Sequence, residues 1–109
     1  MKIYRAVSGA EFKDFELNGG TFRTAKNTLE AKQFFKSKRA IKPYIAKAIK
    51  QKLSPPYKYL LVVDIDEDCL YKLNVDEQEL DDFDALTVYK DELPDFNNCI
   101  NFTEYHVQF

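Results

Sequence analysis

Arg5 is the first residue of this chain whose type and setting suggest chemistry. It lies within residues 2–7, where side chains alternate and Ile, Tyr and Val favour an extended backbone, so the stretch predicts a β-strand. A guanidinium group removed from water costs several kcal/mol unless an anionic group meets it. Arg5 therefore either lies on a solvated face of the strand or binds an anionic partner.

Other residues with ligating or nucleophilic side chains complete no motif. The stretch that starts at Asp64 begins like a calcium loop, but its sixth and twelfth positions hold Cys69 and Val75 in place of glycine and glutamate. His106 lies in an alternating stretch without an organised nucleophile, which favours a strand histidine over a general base. Cys69 and Cys99 lack CxxC spacing, and we expect two reduced thiols in a cytoplasmic protein rather than a disulfide.

Two helices are predicted from clear boundary signals. Ser8 and Glu11 form an S-x-x-E capping box, which predicts a helix from there until Gly19 supplies a left-handed stop. Pro43 fits the first turn of a later helix that runs to Leu53, because a proline there loses no hydrogen bond.

A further helix is predicted between these two. It would begin at Asn27 or Thr28, where a side-chain cap is available. Its apolar spacing would bury Phe34 and Phe35 and leave Lys32 in solvent.

The second half of the chain reads mostly as strands. Residues 57–65 form the most apolar stretch and predict a central strand, followed by a shorter strand at 69–73. An acidic loop or short helix is expected at 76–84, and strands are expected at 86–89 and 102–109. We therefore predict one α+β domain over residues 1–109, with a mixed or antiparallel sheet and two to three helices in its N-terminal half.

The composition of the chain limits which classes of function are possible. The 109 residues are 45% apolar with 16 aromatic side chains, which is enough for a hydrophobic core, and no apolar run approaches the roughly 20 residues of a membrane span. We thus expect no membrane association. Between Arg23 and Lys58 eleven basic residues face one acid, whereas from Asp64 to Glu104 fourteen acids face two lysines. Such a split is typical of solvated helix faces, of a nucleic-acid surface, of an acidic partner-binding face, or of two halves that neutralise each other on folding.

Several short patterns occur together along the chain. They are Tyr4-Arg5-Ala6, the capping box from Ser8 to Glu11, the stretch from Gly20 to Phe22, and Leu29-Glu30-Ala31-Lys32-Gln33-Phe34. The late stretch VYKDELPDFNNCI precedes the last predicted strand. In this order the patterns resemble small ADP-ribosyltransferase-like toxin domains, and the resemblance covers nearly the whole chain.

This resemblance implies an ADP-ribosyltransferase-like fold and NAD as the cofactor. Arg5 would hold the phosphates or a ribose of NAD, while Tyr4 or Phe34 would form a stacking wall for nicotinamide. We then expect Arg5 to line a concave pocket with aromatic walls and to have no full carboxylate partner.

The resemblance also implies a catalytic carboxylate at a late strand edge. The family's glutamate position falls near Ala85 in this sequence, where the nearest carboxylates are Asp82 and Asp84. Asp84 would substitute for the glutamate, or Glu104 would reach in from the last strand.

Three functions remain open from the sequence. One is transfer of ADP-ribose from NAD to a macromolecular target, most readily a protein. Another is a catalytically inactive domain of the same fold that binds or blocks a partner protein, as a phage or mobile element could encode. The last is a nucleic-acid binder that uses the basic region between Arg23 and Lys58. Its patch would consist of four cations beside three rings that could stack on bases: Lys36, Lys38, Arg39 and Lys42 with Phe34, Phe35 and Tyr44.

Overall fold

Six antiparallel strands form a single sheet in the computed structural model, which describes residues 1–23, 31–50, 57–80 and 83–107. The strands are β1 (Lys2–Ser8), β2 (Ala31–Phe35), β3 (Tyr57–Ile65), β4 (Asp76–Leu80), β5 (Phe83–Tyr89) and β6 (Ile100–Val107). The helices are α1 (Gly9–Leu17), α2 (Ile41–Lys50), α3 (Glu67–Leu70) and α4 (Leu93–Asn98). The predicted α+β class and the antiparallel sheet are confirmed.

The strand order places β1 near the centre of the sheet. The order is β4-β5-β2-β1-β3-β6, and every neighbouring pair is antiparallel. β1 therefore lies between β2 and β3, while β4 and β6 form the two edges.

Apolar side chains cover both faces of the sheet. On one face, Ile3 and Val7 of β1 pack in a cluster with Phe12 and Phe15 of α1, and the same cluster contains residues of α3 and α4. On the other face, Ala6 of β1 belongs to a second cluster that includes residues of α2. Because side chains alternate along a strand, we name these the α1 face and the α2 face.

The first helix begins and ends as its sequence predicts. The Ser8 hydroxyl accepts a hydrogen bond from the Glu11 backbone N–H at 3.2 Å, which satisfies one of the free donors at the helix start. Gly19 and Gly20 follow with φ angles of 70° and 78°, a left-handed conformation that favours glycine. The helix therefore turns back directly over β1.

The predicted second helix is wrong over the residues that the structure describes, because Ala31–Phe35 form β2. Phe34 and Phe35 are both buried, but on opposite faces of the sheet. A strand with a core on both faces accommodates two adjacent phenylalanines, whereas the spacing alone also fits a helix. The expected caps Asn27 and Thr28 lie outside the described residues.

Two predictions for the second half are also wrong. The expected strand at 69–73 is the short helix α3 followed by a turn, because the Asp66 side chain accepts from the Cys69 N–H and caps the helix. The expected acidic loop at 76–84 contains β4, an edge strand whose acidic side chains reach water. The strands at 57–65, 86–89 and 102–107 and the helix at Pro43 are confirmed, while 51–56 and 108–109 lie outside the described residues.

The expectation of two free thiols is wrong, because Cys69 and Cys99 form a disulfide. Their Cα atoms are 5.5 Å apart, and the Asp66 N–H donates to the Cys99 carbonyl at 2.9 Å. That backbone contact brings α3 against the end of α4, a proximity that sequence spacing does not reveal. The cysteines consequently no longer argue for a cytoplasmic location. Within the described ranges, none of the helices has the length and apolar character needed to cross a membrane.

Candidate functional site

Arg5 lies on the α1 face of β1, between Ile3 and Val7, beneath the first turn of α1. Its guanidinium donates to both carboxylate oxygens of Glu11, from Nε at 2.7 Å and from Nη2 at 2.8 Å. Its Nη1 donates to the Gln33 carbonyl of β2 at 2.9 Å. The expectation that Arg5 lacks a full carboxylate partner is therefore wrong.

Lys32 completes this charged cluster from β2. Its Nζ lies 3.3 Å from Glu11 Oε1, and the residue is only 7% exposed. Burial lowers the pKa of Lys32, and the neighbouring Arg5 charge lowers it further. We expected Lys32 to lie on a helix with its side chain in solvent. Because this segment is a strand instead, the side chain points inwards.

Glu11 is the residue on which both cations converge. Burial by itself would raise the pKa of Glu11, but the hydrogen bonds and charge of Arg5, together with Lys32, outweigh it and hold the pKa below its ordinary value of 4.5. The side chains of Arg5 and Glu11 are 19% and 23% exposed. We call Arg5, Glu11 and Lys32 the charged cluster, and it connects α1 to β1 and β2.

Sequence reasoning missed Glu11 because the capping box explained it fully. The structure shows that its backbone N–H makes the cap while its carboxylate turns to Arg5. A usable signal was the absence of any loop between β1 and α1, since a helix that follows a strand directly folds its first turn back over that strand.

The residues expected to bind NAD do not line one surface. Tyr4 contacts the cluster on the α2 face, whereas Arg5 lies on the α1 face. Phe34 shares the α1 face with Arg5, whose Cζ lies 5.8 Å from the ring centre, but Phe34 is fully buried. Because Glu11 and Gln33 occupy the guanidinium fork, this arrangement does not fit a pyrophosphate without displacement of Glu11.

The two expected catalytic carboxylates are far apart. Asp84 is exposed on β5 and Glu104 is exposed on β6, with β2, β1 and β3 between them. Four strand spacings correspond to about 19 Å, so the two side chains do not share a site. Ala85 is fully buried on the α2 face, and Asp82 lies outside the described residues.

A groove runs along α2 on the opposite face from the charged cluster. Its volume is about 870 Å³, and its apolar lining includes Ile45, Ala46, Ile49 and the β3 residue Leu60. Ile49 is 72% exposed, which is high for a large aliphatic side chain. The groove therefore presents an apolar floor and wall to solvent.

Three basic residues also line this groove: Lys38, Arg39 and Lys42. Lys38 and Arg39 belong to a 3₁₀ turn that begins after Ser37, whose hydroxyl accepts from the Arg39 N–H at 3.3 Å. All three side chains are exposed, and none forms an ion pair with a described residue. We call this surface the α2 groove.

The comparisons leave the function to be argued from this geometry. Searches of protein-family models, of curated proteins and of solved structures each gave no match to this chain.

Proposed function

We propose that this protein is a binding module whose α2 groove receives an acidic amphipathic segment of a partner protein. The single observation that carries the proposal is an apolar groove of about 870 Å³ bordered by three cations without described acidic partners. Apolar anchors from an amphipathic segment fill grooves of this kind, and opposite charge at the rim selects the partner and its orientation.

The apolar lining supports a protein partner. Ile49 offers its methyl groups to anchor residues, with the buried Ile45 and Leu60 beneath the groove, and none of the three side chains offers a hydrogen-bonding group to a base or a phosphate. An exposed Ile49 beside them extends the apolar surface beyond what the core needs. Leucine- or phenylalanine-type anchors flanked by carboxylates match both parts of the groove.

A nucleic-acid partner has less support. Phe34 and Phe35, which could have stacked on bases, are buried, so the basic side chains have no described aromatic platform beside them other than the half-buried Tyr44. An experimental test must therefore distinguish binding of a single-stranded oligonucleotide from binding of a peptide.

A pair of synthetic peptides tests the proposal. The first has about 14 residues, roughly four helical turns, with leucines at i, i+3, i+4 and i+7 and glutamates elsewhere. The second replaces each glutamate with lysine. Fluorescence anisotropy should show binding of the acidic peptide and at least tenfold weaker binding of the basic one.

Three variants make the test specific to the α2 groove. Ile49→Glu places a carboxylate on the apolar wall, and Lys42→Glu reverses one rim charge, so both should weaken binding of the acidic peptide. Lys13→Glu is the matched control, because Lys13 is exposed on α1 at the opposite face. Equal binding of the two peptides, or binding that survives Ile49→Glu, would rule out the groove. Tighter binding to an oligonucleotide, with an affinity that falls steeply as the salt concentration rises, would favour a nucleic-acid partner instead.

Transfer of ADP-ribose stays a prediction from the resemblance. Its expected residues Arg5, Tyr4, Asp84 and Glu104 do not meet in one site, so no step is derived from them. Nicotinamide release from NAD by the purified protein is the direct assay. Release that is lost in an Arg5→Lys variant of equal stability would replace the binding proposal with the transferase.

A further inference from the structure

The two edge strands of the sheet differ sharply in composition. β4 carries Asp76, Glu77 and Glu79 within five residues, and such a run of like charge repels a second strand. β6 has the sequence INFTEYHV, with one acid, one histidine and neither lysine nor proline. β6 therefore carries no run of like charge, and its one register shift, at Asn101, lies near its start and leaves residues 102–107 as a regular edge.

β6 is also well formed as a strand and exposes large apolar side chains on both faces. It pairs with β3 from Tyr59↔Val107 to Asp64↔Phe102, and no described strand lies on its other side. Phe102, Tyr105 and Val107 are between 50% and 72% exposed. A long edge of this kind is a template for a further strand.

We propose that β6 pairs antiparallel with β6 of a second copy of this chain, and so joins two sheets into one. The proposal is independent of what occupies the α2 groove. A second copy fits this edge because, in one register, the Glu104 carboxylate of each copy lies opposite the His106 imidazole of the other and can accept a hydrogen bond from it.

Symmetry restricts the possible registers. Two identical antiparallel strands are related by a twofold axis perpendicular to the sheet, so the α1 face of one copy continues into the α1 face of the other. Residues directly opposite each other must then come from the same face, which alternates along the strand. The residue numbers of any two residues that lie directly opposite each other therefore sum to an even number.

One of these registers pairs the polar side chains. When Tyr105 lies opposite its own copy, Glu104 of each chain lies opposite His106 of the other, and Thr103 lies opposite Val107. When Glu104 lies opposite its own copy, two like charges meet directly, which is unfavourable. When Thr103 is central, Glu104 lies opposite Phe102 and His106 faces the register shift at Asn101, so neither Glu104 nor His106 has a complementary partner.

The preferred register builds on a contact already present in one chain. His106 Nε2 lies 3.8 Å from Glu104 Oε2 on the α2 face, because the two residues are two positions apart on the same strand. Pairing would extend this contact into a group of four alternating side chains, two from each copy. On the α1 face, the two Tyr105 rings would meet at the axis.

Sedimentation equilibrium of the full chain tests the proposal over a range from about 5 µM to about 500 µM. We expect a concentration-dependent species of twice the 12.8 kDa chain mass. His106→Glu should weaken association by roughly tenfold, because it changes two symmetric cross-strand pairs at once. Glu104→Lys should also weaken it.

Charge reversal then tests the register itself. The double variant with Glu104→Lys and His106→Glu should regain association, since its two new side chains of opposite charge would again lie opposite each other across the two copies. Thermal unfolding of each variant confirms that the exposed substitutions leave the fold intact. A wild type that stays monomeric over the whole range overturns the proposal and leaves β6 open to a strand of another protein. A double variant that associates no better than the single variants overturns the register.

Discussion

At the scale of single residues, the buried guanidinium of Arg5 is matched by a carboxylate only six positions away. Glu11 accepts from it through both oxygens, and Lys32 approaches the same carboxylate from β2. Two cations therefore depend on one anion in a largely dry environment. Removal of that anion should cost more than removal of either cation, because it leaves two charges without a partner.

Glu11→Gln should lower the free energy of unfolding by roughly 2 to 3 kcal/mol, somewhat below the range for fully buried pairs since both side chains retain some exposure. Urea denaturation at neutral pH measures the effect. Glu16→Gln is the matched control, because Glu16 is exposed on the same helix. A loss no greater than that of the control would mean that the cluster does not hold α1 to the sheet.

The same pair of proteins should differ in their response to acid. The pKa of Glu11 is lowered in the folded state, so its stabilising contribution is complete above its ordinary pKa of 4.5 and is lost as the pH falls through the lower folded value. The difference in unfolding free energy between wild type and Glu11→Gln should therefore shrink as the pH falls below 4.5. A difference that stays constant with pH would point to lost packing instead of lost charge.

At the scale of elements, local signals in the sequence predicted α1, α2 and β3 correctly. α1 has its own cap and glycine stop, and β3 is too apolar and β-branched to be mistaken. β2 was assigned to a helix because Phe34 and Phe35 satisfy helical spacing, and only the neighbouring strands β1 and β5 settle its conformation. The position of Lys32 in the charged cluster followed from that error and could not be predicted.

The α4 segment shows a tertiary contact that no local pattern could indicate. The Asn97 side chain accepts from the Phe22 N–H and donates to the Phe22 carbonyl, both at 2.7 Å. Phe22 thereby enters the core against Phe34 and Phe96, although it belongs to no strand. One amide side chain thus takes the place of a strand partner for this part of the backbone.

The disulfide joins α3 to the end of α4 and should contribute measurably to stability. Cys69 and Cys99 are 30 positions apart, and closure of a loop of that length corresponds to about 3 to 4 kcal/mol in the chain-entropy model. We expect reduction by dithiothreitol, or the paired change of both cysteines to alanine, to lower the thermal midpoint markedly. Thiol titration of the unreduced native protein should find no reactive group, and two titratable thiols in the unfolded, unreduced protein would disprove the bond.

At the scale of the whole molecule, the basic and acidic parts of the chain meet at the far edge of the sheet. Lys36, at the end of β2, pairs with Glu77 of β4, and the Tyr71 hydroxyl donates to the same carboxylate at 3.3 Å. The α2 groove keeps its cations without described acidic partners, on the other side of the sheet from the charged cluster. The separation of basic from acidic residues along the sequence is therefore partly retained as a separation of charge on the surface.

This layout predicts the order in which the sheet opens. β3 is paired with β1 and β6 along most of its length and is covered on both faces, so its amides should exchange with solvent only through global unfolding. β4 is paired on one side, and four of its five residues are exposed, so its amides should exchange first through local opening. Hydrogen exchange followed by mass spectrometry on overlapping peptides measures this order.

Lys36→Met should speed exchange in β4 alone because it removes the partner of Glu77, whereas Lys38→Met, which changes a rim cation of the α2 groove, should not. Protection in β4 equal to that in β3, or an equal rise across all strands in Lys36→Met, would show instead that the sheet opens as one unit.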